Sequence, residues 1–175
     1  KEAAQVVEQL REAGLSKIVM MTGDSDRTAK AIAKRVGVDE YYSEVLPEDK
    51  ANFVEREKQA GRKVIMIGDG INDSPALSAA DVGIAISEGA EIAREVADIT
   101  VGADDLKEIV KLKRLSDALM QRIRRNYRII VGFNTGLIVC GVTGVLPPTT
   151  SALLHNTSTL VIGLQSMKNL LDESE

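Results

Sequence analysis

The stretch that most limits how this chain can fold is Val64-Ile-Met-Ile-Gly-Asp-Gly-Ile-Asn-Asp-Ser-Pro-Ala-Leu77. Four apolar residues over 64–67 predict a short buried strand. Gly68 and Gly70 flank Asp69, so the backbone can turn sharply there and let a ligand approach closely. Asn72 or Asp73 can cap the following helix, with Pro75 tolerated in its first turn. Asp69 and Asp73 thus leave the carboxyl end of a strand, where open α/β sheets bind their ligands. Hard oxygen donors on a tight loop suit Mg²⁺, which keeps several waters and shares itself with a phosphate. A lone Gly-Asp-Gly would be an ordinary corner; this longer string does not stand alone.

Strands and helices alternate around the corner. Ala3, Val6, Val7 and Leu10 line one face of a helix over 3–13, which Gly14 ends. A strand over 17–21 delivers Thr22-Gly23-Asp24. Ser25 or Asp26 then caps a helix to residue 35, stopped by Gly37. A weaker strand over 41–46 leads to Pro47-Glu48-Asp49-Lys50, and a helix over 50–59 closes at Gly61. After the central corner come a helix over 74–79, a strand over 82–86, a helix over 90–96 and a strand over 98–101. This order implies an α/β fold, a doubly wound parallel sheet with right-handed crossovers. From Asp104 onward Leu106, Ile109, Val110, Leu112, Leu115, Leu119 and Ile123 fall at helical spacing. They predict one long helix that carries the α/β domain to the membrane.

Residues 129–167 contain no Asp, Glu, Lys or Arg. Pro147-Pro148 splits this run into 129–146 and 149–167, each long enough to cross a bilayer. Arg122, Arg124, Arg125 and Arg128 crowd one end and Lys168 follows the other. The positive-inside rule then places both ends in the cytoplasm. The expected organisation is an α/β domain with its connecting helix over 1–125, and a transmembrane helix pair with a short cytoplasmic tail over 126–175. The competing reading is a buried helical hairpin. With lipid as its solvent, the chain is expected to be a multi-pass membrane protein that aggregates without detergent.

Composition removes other classes. A net charge of −4 argues against a nucleic-acid surface driven by bulk charge. One Cys and one His exclude a disulfide framework and a soluble Cys/His zinc cluster. Aromatics at 3%, with no Trp, make stacking on bases a poor fit. The polar opening Lys1-Glu-Ala-Ala-Gln lacks the features of a signal peptide.

Three polar motifs are expected at one sheet edge: Thr22-Gly23-Asp24, Lys50, and Asp69 with Asn72 and Asp73. Together they describe a phosphoryl site. A hydroxyl and backbone N–H groups can hold phosphate oxygens, Lys neutralises them as a point charge, and carboxylates hold Mg²⁺. Within the uncharged run, His155, Ser158 and Thr159 share one helix face at i, i+3 and i+4. Asn134 and Cys140 are the polar candidates on the preceding helix. Polar groups in a bilayer are expensive, and neutral imidazole ligates Zn, Cu, Fe and Ni. An interhelical hydrogen bond is the competing role for His155. Gly132, Gly136 and Cys140 form a small-residue stripe suited to close helix packing, which is the better reading of Cys140.

The strings MTGD (21–24), LPEDK (46–50) and GDGINDSPALSAADVGIAI (68–86) resemble the phosphorylation domain of P-type ATPases, members of the haloacid dehalogenase superfamily. The resemblance spans about residues 1–171, and two helices after this domain resemble the heavy-metal branch. It implies that Thr22 and Gly23 contact the transferred phosphoryl group and that Asp24 shapes the nucleotide-facing edge. By the same resemblance Lys50 stabilises phosphate charge, Asp69 ligates Mg²⁺, and Asp73 and Asn72 support the metal and phosphate geometry. The implied reaction is phosphorylation of an Asp by ATP, then hydrolysis of the aspartyl phosphate coupled to movement of a transition-metal cation across a lipid bilayer. His155, Asn134, Ser158 and Thr159 are the candidate ligands of that cation. One departure matters: the family's nucleophile lies in an Asp-Lys-Thr-Gly-Thr string, and none occurs here. The chain is therefore expected to be a portion of a larger pump, or half of a split one. It would be inactive by this route without the N-terminal portion. Two other readings compete, a non-catalytic membrane module and a membrane-tethered phosphatase of the same superfamily. Phe133-Asn134 and His-Asn-Thr-Ser-Thr (155–159) match neither the copper nor the zinc pattern of the branch. They resemble subgroups with His on the final helix, and a divalent transition metal is expected.

Overall fold

The computed structural model describes residues 2–68, 71–86, 95–101 and 106–170. Asp69, Gly70 and most of the helix expected over 90–96 lie outside the described residues. The chain divides into two compact units, Lys1–Lys111 and Leu112–Glu175.

In the first unit helices and strands alternate as α1 (Glu2–Glu12), β1 (Val19–Met21), α2 (Asp26–Val36), β2 (Glu40–Tyr42), α3 (Pro47–Gln59), β3 (Ile65–Gly68), α4 (Ser74–Ala79), β4 (Val82–Ile86) and β5 (Ile99–Val101). Every strand pairing is parallel. The expected parallel α/β fold is present, but among the described residues the strands fall into two sheets, β1–β2 and β3–β4–β5, with β1 and β3 each paired on one side only. Strands of a complete parallel sheet are covered on both faces. Here β1 is only half-buried and Ile65 of β3 is 39% exposed. The strand expected over 41–46 is Glu40–Tyr42, because the chain leaves the ladder just before Glu44, whose φ is +54°.

The core is made where helices cover strands. Val6, Val7 and Leu10 of α1, Ala29 and Ala33 of α2, Phe53 and Val54 of α3, and Ala76 and Leu77 of α4 are buried with Ile84 and Ala85 of β4. The fit of α4 on β4 depends on Gly83, since a Cβ there would lie 2.7 Å from the Leu77 carbonyl oxygen.

An aspartate recurs at the start of three strands and ties down the start of the neighbouring one. Asp39, before β2, accepts the Ile18 N–H at 2.7 Å. Asp81, before β4, accepts the Val64 N–H at 3.0 Å, and Asp98, before β5, accepts the Gly83 N–H at 2.8 Å. Each carboxylate satisfies a backbone donor at or near the entry to a strand pair and so fixes the parallel register.

In the second unit the greater part of α5 (Lys107–Val142) runs antiparallel to α6 (Pro148–Ser166). Gly144, with φ of +74°, and bonds from the Val145 and Leu146 N–H groups to the Cys140 carbonyl make the turn. The open ends are tied by Arg122, which donates to the carbonyls of Ser166 at 3.0 Å and Asn169 at 2.9 Å. Asn126 donates to the Ser166 hydroxyl at 2.7 Å. Leu137 is the single buried apolar residue of this unit among the described residues.

The hairpin expected from Pro147-Pro148 is present, but the two apolar spans expected over 129–146 and 149–167 find no support in its helices. Among the described residues no helix is long and apolar enough to cross a membrane. The apolar part of α5 begins at Ile129 and the helix ends at Val142, a rise of about 20 Å against a hydrocarbon core of about 30 Å. The first half of α6 is diluted by Thr149, Thr150, Ser151 and the polar residues 155–159. The small-residue stripe is also not used for close packing, since a Cβ at Gly132 or Gly136 would meet nothing within 4 Å.

Candidate functional site

Thr22 extends the β1–β2 ladder by one bond, its N–H reaching the Tyr42 carbonyl at 3.0 Å. Its hydroxyl donates to Asp24 Oδ2 at 2.8 Å and accepts the Asp24 N–H at 3.1 Å, closing a small ring around Gly23. The next segment binds this loop a second time. Val45 N–H donates to the Thr22 carbonyl at 3.1 Å and Glu44 N–H to the Asp24 carbonyl at 2.9 Å. Glu44 takes its positive φ to turn these donors inward, a conformation that costs a non-glycine residue about 1–3 kcal/mol and persists only when its surroundings enforce it.

The same segment continues into α3. Leu46 N–H donates to Asp49 Oδ2 at 3.2 Å, and Asp49 N–H returns to the Leu46 carbonyl at 3.1 Å. Pro47 occupies the first turn, where its missing N–H costs nothing. This cap sets Lys50 in the first turn of the helix. Lys50 Nζ donates to Asp73 Oδ1 at 2.7 Å, with side chains 14% and 10% exposed. Asp73 comes from the other sheet, at the end of a 3₁₀ turn (Ile71–Asp73) that follows β3. It stands at the start of α4 but makes no capping bond with its side chain. Its carboxylate is committed to Lys50, which corrects the capping role open to it from sequence. Asp73 is the one buried polar residue among the described residues.

Gly68 is what admits Asp73. A Cβ at Gly68 would lie 2.6 Å from Asp73 Cβ and 2.7 Å from Asp73 Oδ2. The structure thus joins Thr22 with Asp24, and Lys50 with Asp73, and connects the pairs through the continuous segment 42–50. Asn72 is exposed, and Asp69 lies outside the described residues. The close approach at Gly68 and the turn at Glu44 were missed in sequence. The first could have been suspected from Gly preceding Asp69, while the second has no sequence signal.

Among the described residues only one Asp73 oxygen is bonded, to Lys50, and a carboxylate oxygen of this kind suits a hard cation such as Mg²⁺. Among the described residues no three His, Cys, Asp or Glu side chains gather into a metal cluster.

The second candidate group lies in the hairpin. His155 Nδ1 and Asn134 Oδ1 are 2.8 Å apart, joining α6 to α5. Ser158 and Thr159 do face the same way as His155, but both hydroxyls donate to the His155 carbonyl, at 2.8 and 3.0 Å. Cys140 is a free thiol near the turn.

Parallel strand–helix alternation, with polar loops of both sheets meeting at Lys50 and Asp73, defines an α/β domain that gathers its polar loops at one place. Residues 1–81 match the haloacid dehalogenase-like hydrolases, and over nearly its whole length the chain is similar to heavy-metal P-type ATPases. It is 40% identical over 168 residues to a manganese-exporting P-type ATPase of Mycobacterium leprae, covering 95% of this chain and 23% of that protein. It is 46% identical over 151 residues to a copper-transporting P-type ATPase of Rhizobium leguminosarum, covering 86% of this chain and 18% of that one. A crystal structure of a zinc-transporting PIB-type ATPase in an E2.Pi state superimposes with a TM-score of 0.89 at 33% identity, over 98% of this chain and 28% of that chain. The chain therefore spans less than a quarter of the length of the curated relatives it matches.

Proposed function

We propose that this chain is the carboxyl-terminal portion of an ATP-driven pump for a divalent transition metal, in which Thr22, Gly23, Lys50, Asn72 and Asp73 handle the phosphoryl group. The observation that carries the reading is the Lys50–Asp73 bond between the two sheets, held by the segment that also binds the Thr22–Asp24 loop. Lys50 holds a positive charge beside the phosphoryl oxygens, and Thr22 offers its hydroxyl to them. A Cβ at Gly23 would meet nothing nearer than the Val45 carbonyl oxygen at 4.0 Å, so the glycine leaves room for a ligand. Asp24 marks the edge facing ATP. Asp69 and Asp73 would hold Mg²⁺, which when bound offsets phosphoryl charge. The unpaired sides of β1 and β3 suit a further parallel strand from the N-terminal portion of the pump, bringing the nucleophilic Asp.

The second unit is read as membrane-embedded, with the α/β domain in the cytoplasm and the functional boundary near residue 125, where charge ends. What supports this is its exposed apolar surface. Ile138, Val139, Val142, Leu153 and Leu160 are exposed, while His155 pairs with Asn134. A neutral His155 that donates from Nδ1 to Asn134 keeps Nε2 free to ligate the transported cation. Ser158, Thr159 and Asn134 would line its path.

The test uses the intact pump. Lys50→Ala is expected to lower phosphoenzyme turnover by about 10²–10³-fold, the loss typical of one preorganised charge-stabilising group. His155→Ala is expected to leave phosphorylation by inorganic phosphate in place and abolish stimulation by the metal. Undiminished turnover in the first variant refutes the phosphoryl role of Lys50, and unchanged metal stimulation in the second refutes the ligand role of His155.

A further inference from the structure

A cavity of about 550 Å³ lies in the second unit between Arg122, Arg124, Arg125 and Arg128 on one side and Leu170 on the other. Arg122 is occupied with the carbonyls that end α6. Arg128 reaches only the Arg124 carbonyl, at 3.4 Å. Among the described residues none of the four forms an ion pair, and Arg124 and Arg125 are exposed. Four guanidinium groups within seven residues repel one another, so an anion entering the cavity relieves a cost that the described residues do not relieve. The cavity is of ligand size. Arginine's planar fork matches phosphate oxygens bidentately.

The surroundings select the kind of anion. One turn further along α5 the surface becomes apolar, with Ile129 46%, Ile130 40% and Val131 44% exposed. Tyr127, 67% exposed, stands at the change, the place an amphipathic ring takes at a membrane interface. A molecule with a phosphate head and an apolar tail satisfies both surfaces, and free phosphate satisfies one. We infer that the arginine cavity binds the headgroup of an anionic phospholipid, with its acyl chains along the exposed apolar face of α5. This rests on the membrane reading of the second unit.

The experiment places the intact pump in micelles doped with phosphatidylglycerol or phosphatidylcholine and counts retained lipid by mass spectrometry. The wild type is expected to retain phosphatidylglycerol preferentially. Arg124→Gln with Arg125→Gln is expected to weaken retention about thirtyfold, roughly fivefold for each arginine near an anionic surface. The matching pair of Lys substitutions keeps most of it and shows that the helix is intact. Arg114→Gln, on the same helix but outside the cavity, leaves retention unchanged. Equal loss in Arg114→Gln overturns the site in favour of bulk charge. Displacement of the lipid by inorganic phosphate overturns the lipid in favour of a free anion. Retention that appears only after residues 171–175 are removed makes the acidic end of the chain the occupant, and also overturns it. Equal retention of phosphatidylcholine and phosphatidylglycerol defeats this inference alone. Retention of neither lipid defeats the membrane reading as well.

Discussion

The two units solve opposite versions of the same problem. In the first, Val54, Leu77 and Ile84 are buried under helices and charged side chains face outward; the inward exception, Asp73, is neutralised by Lys50. In the second, Leu137 alone is buried among its described apolar residues, while Val139, Val142, Leu153 and Leu160 face outward. Its polar groups meet one another instead, His155 with Asn134 and Asn126 with Ser166. A chain that buries apolar surface from water in one region and displays it in another is built for two solvents. The comparison also accounts for the half-exposed strands of the first unit. An α/β sheet with β1 and β3 each paired on one side falls short of the burial its strand composition calls for.

The strongest way to break the comparison is to remove a side chain from the first unit's core. Leu77 is 1% exposed, at the contact of α4 with β4. Leu77→Ala is expected to destabilise this unit by about 2–5 kcal/mol, the transfer term plus the cavity left behind. Urea unfolding of the whole chain in detergent, followed by circular dichroism, measures it. A loss under about 1 kcal/mol would mean that the contact is too loose to be a core.

A charge placed on an exposed residue of the second unit tests the other half. Val139 is 56% exposed. On a surface facing water, Val139→Asp would change stability by no more than about 0.5 kcal/mol. Facing hydrocarbon, the same change costs insertion free energy, up to about 2.5–3.5 kcal/mol at a helix centre. Leu46→Asp, at a residue 65% exposed in the first unit, serves as the water-facing reference. The fraction of chain recovered in membranes after expression is expected to fall for Val139→Asp and to hold for Leu46→Asp. Equal recovery would return the hairpin to water.

Legibility from sequence followed the range of the physics. Local patterns were readable: α4 and β4 match the expected 74–79 and 82–86, and Gly37 stops α2 in the left-handed conformation. Long-range placement was readable only where motifs announced it: Lys50 and Asp73 were expected at one sheet edge, and their direct bond was not. Three features were not. The split into two sheets depends on which strand edges find partners, and alternation of strands with helices is silent on that. The shortened β2 depends on the positive φ of Glu44, a residue with no preference for it. The membrane segments were read from absence of charge, while the hydropathy that decides spanning is lowered by Asn134, His155, Asn156 and the hydroxyl residues around them. The strand-entry role of Asp39, Asp81 and Asp98 was not read from sequence. Each precedes a strand, and that position was the available signal.

The smallest expected effect tests those aspartates. Asp81 is held below its ordinary value of 3.8 first by the Val64 N–H bond and then by Lys63. In the unfolded chain it returns to that ordinary value. A carboxylate whose pKa is lower when folded adds stability above the unfolded value, and this is lost as pH falls through the folded one. The contribution of Asp81 is therefore complete at neutral pH and fades below about pH 4. Asp81→Asn keeps an oxygen for the Val64 N–H but has no charge to titrate. It is expected to lower stability modestly at neutral pH and to flatten the acid limb of the urea midpoint. Glu57, also depressed, chiefly by its bond from Arg62, leaves a residual slope in the variant, so the comparison is between slopes rather than against zero. Parallel acid limbs in the two proteins would show that the Asp81 clamp acts through shape alone. The register of β3 on β4 would then be set by packing of Leu77 on Gly83, and the electrostatic part of the account would fall.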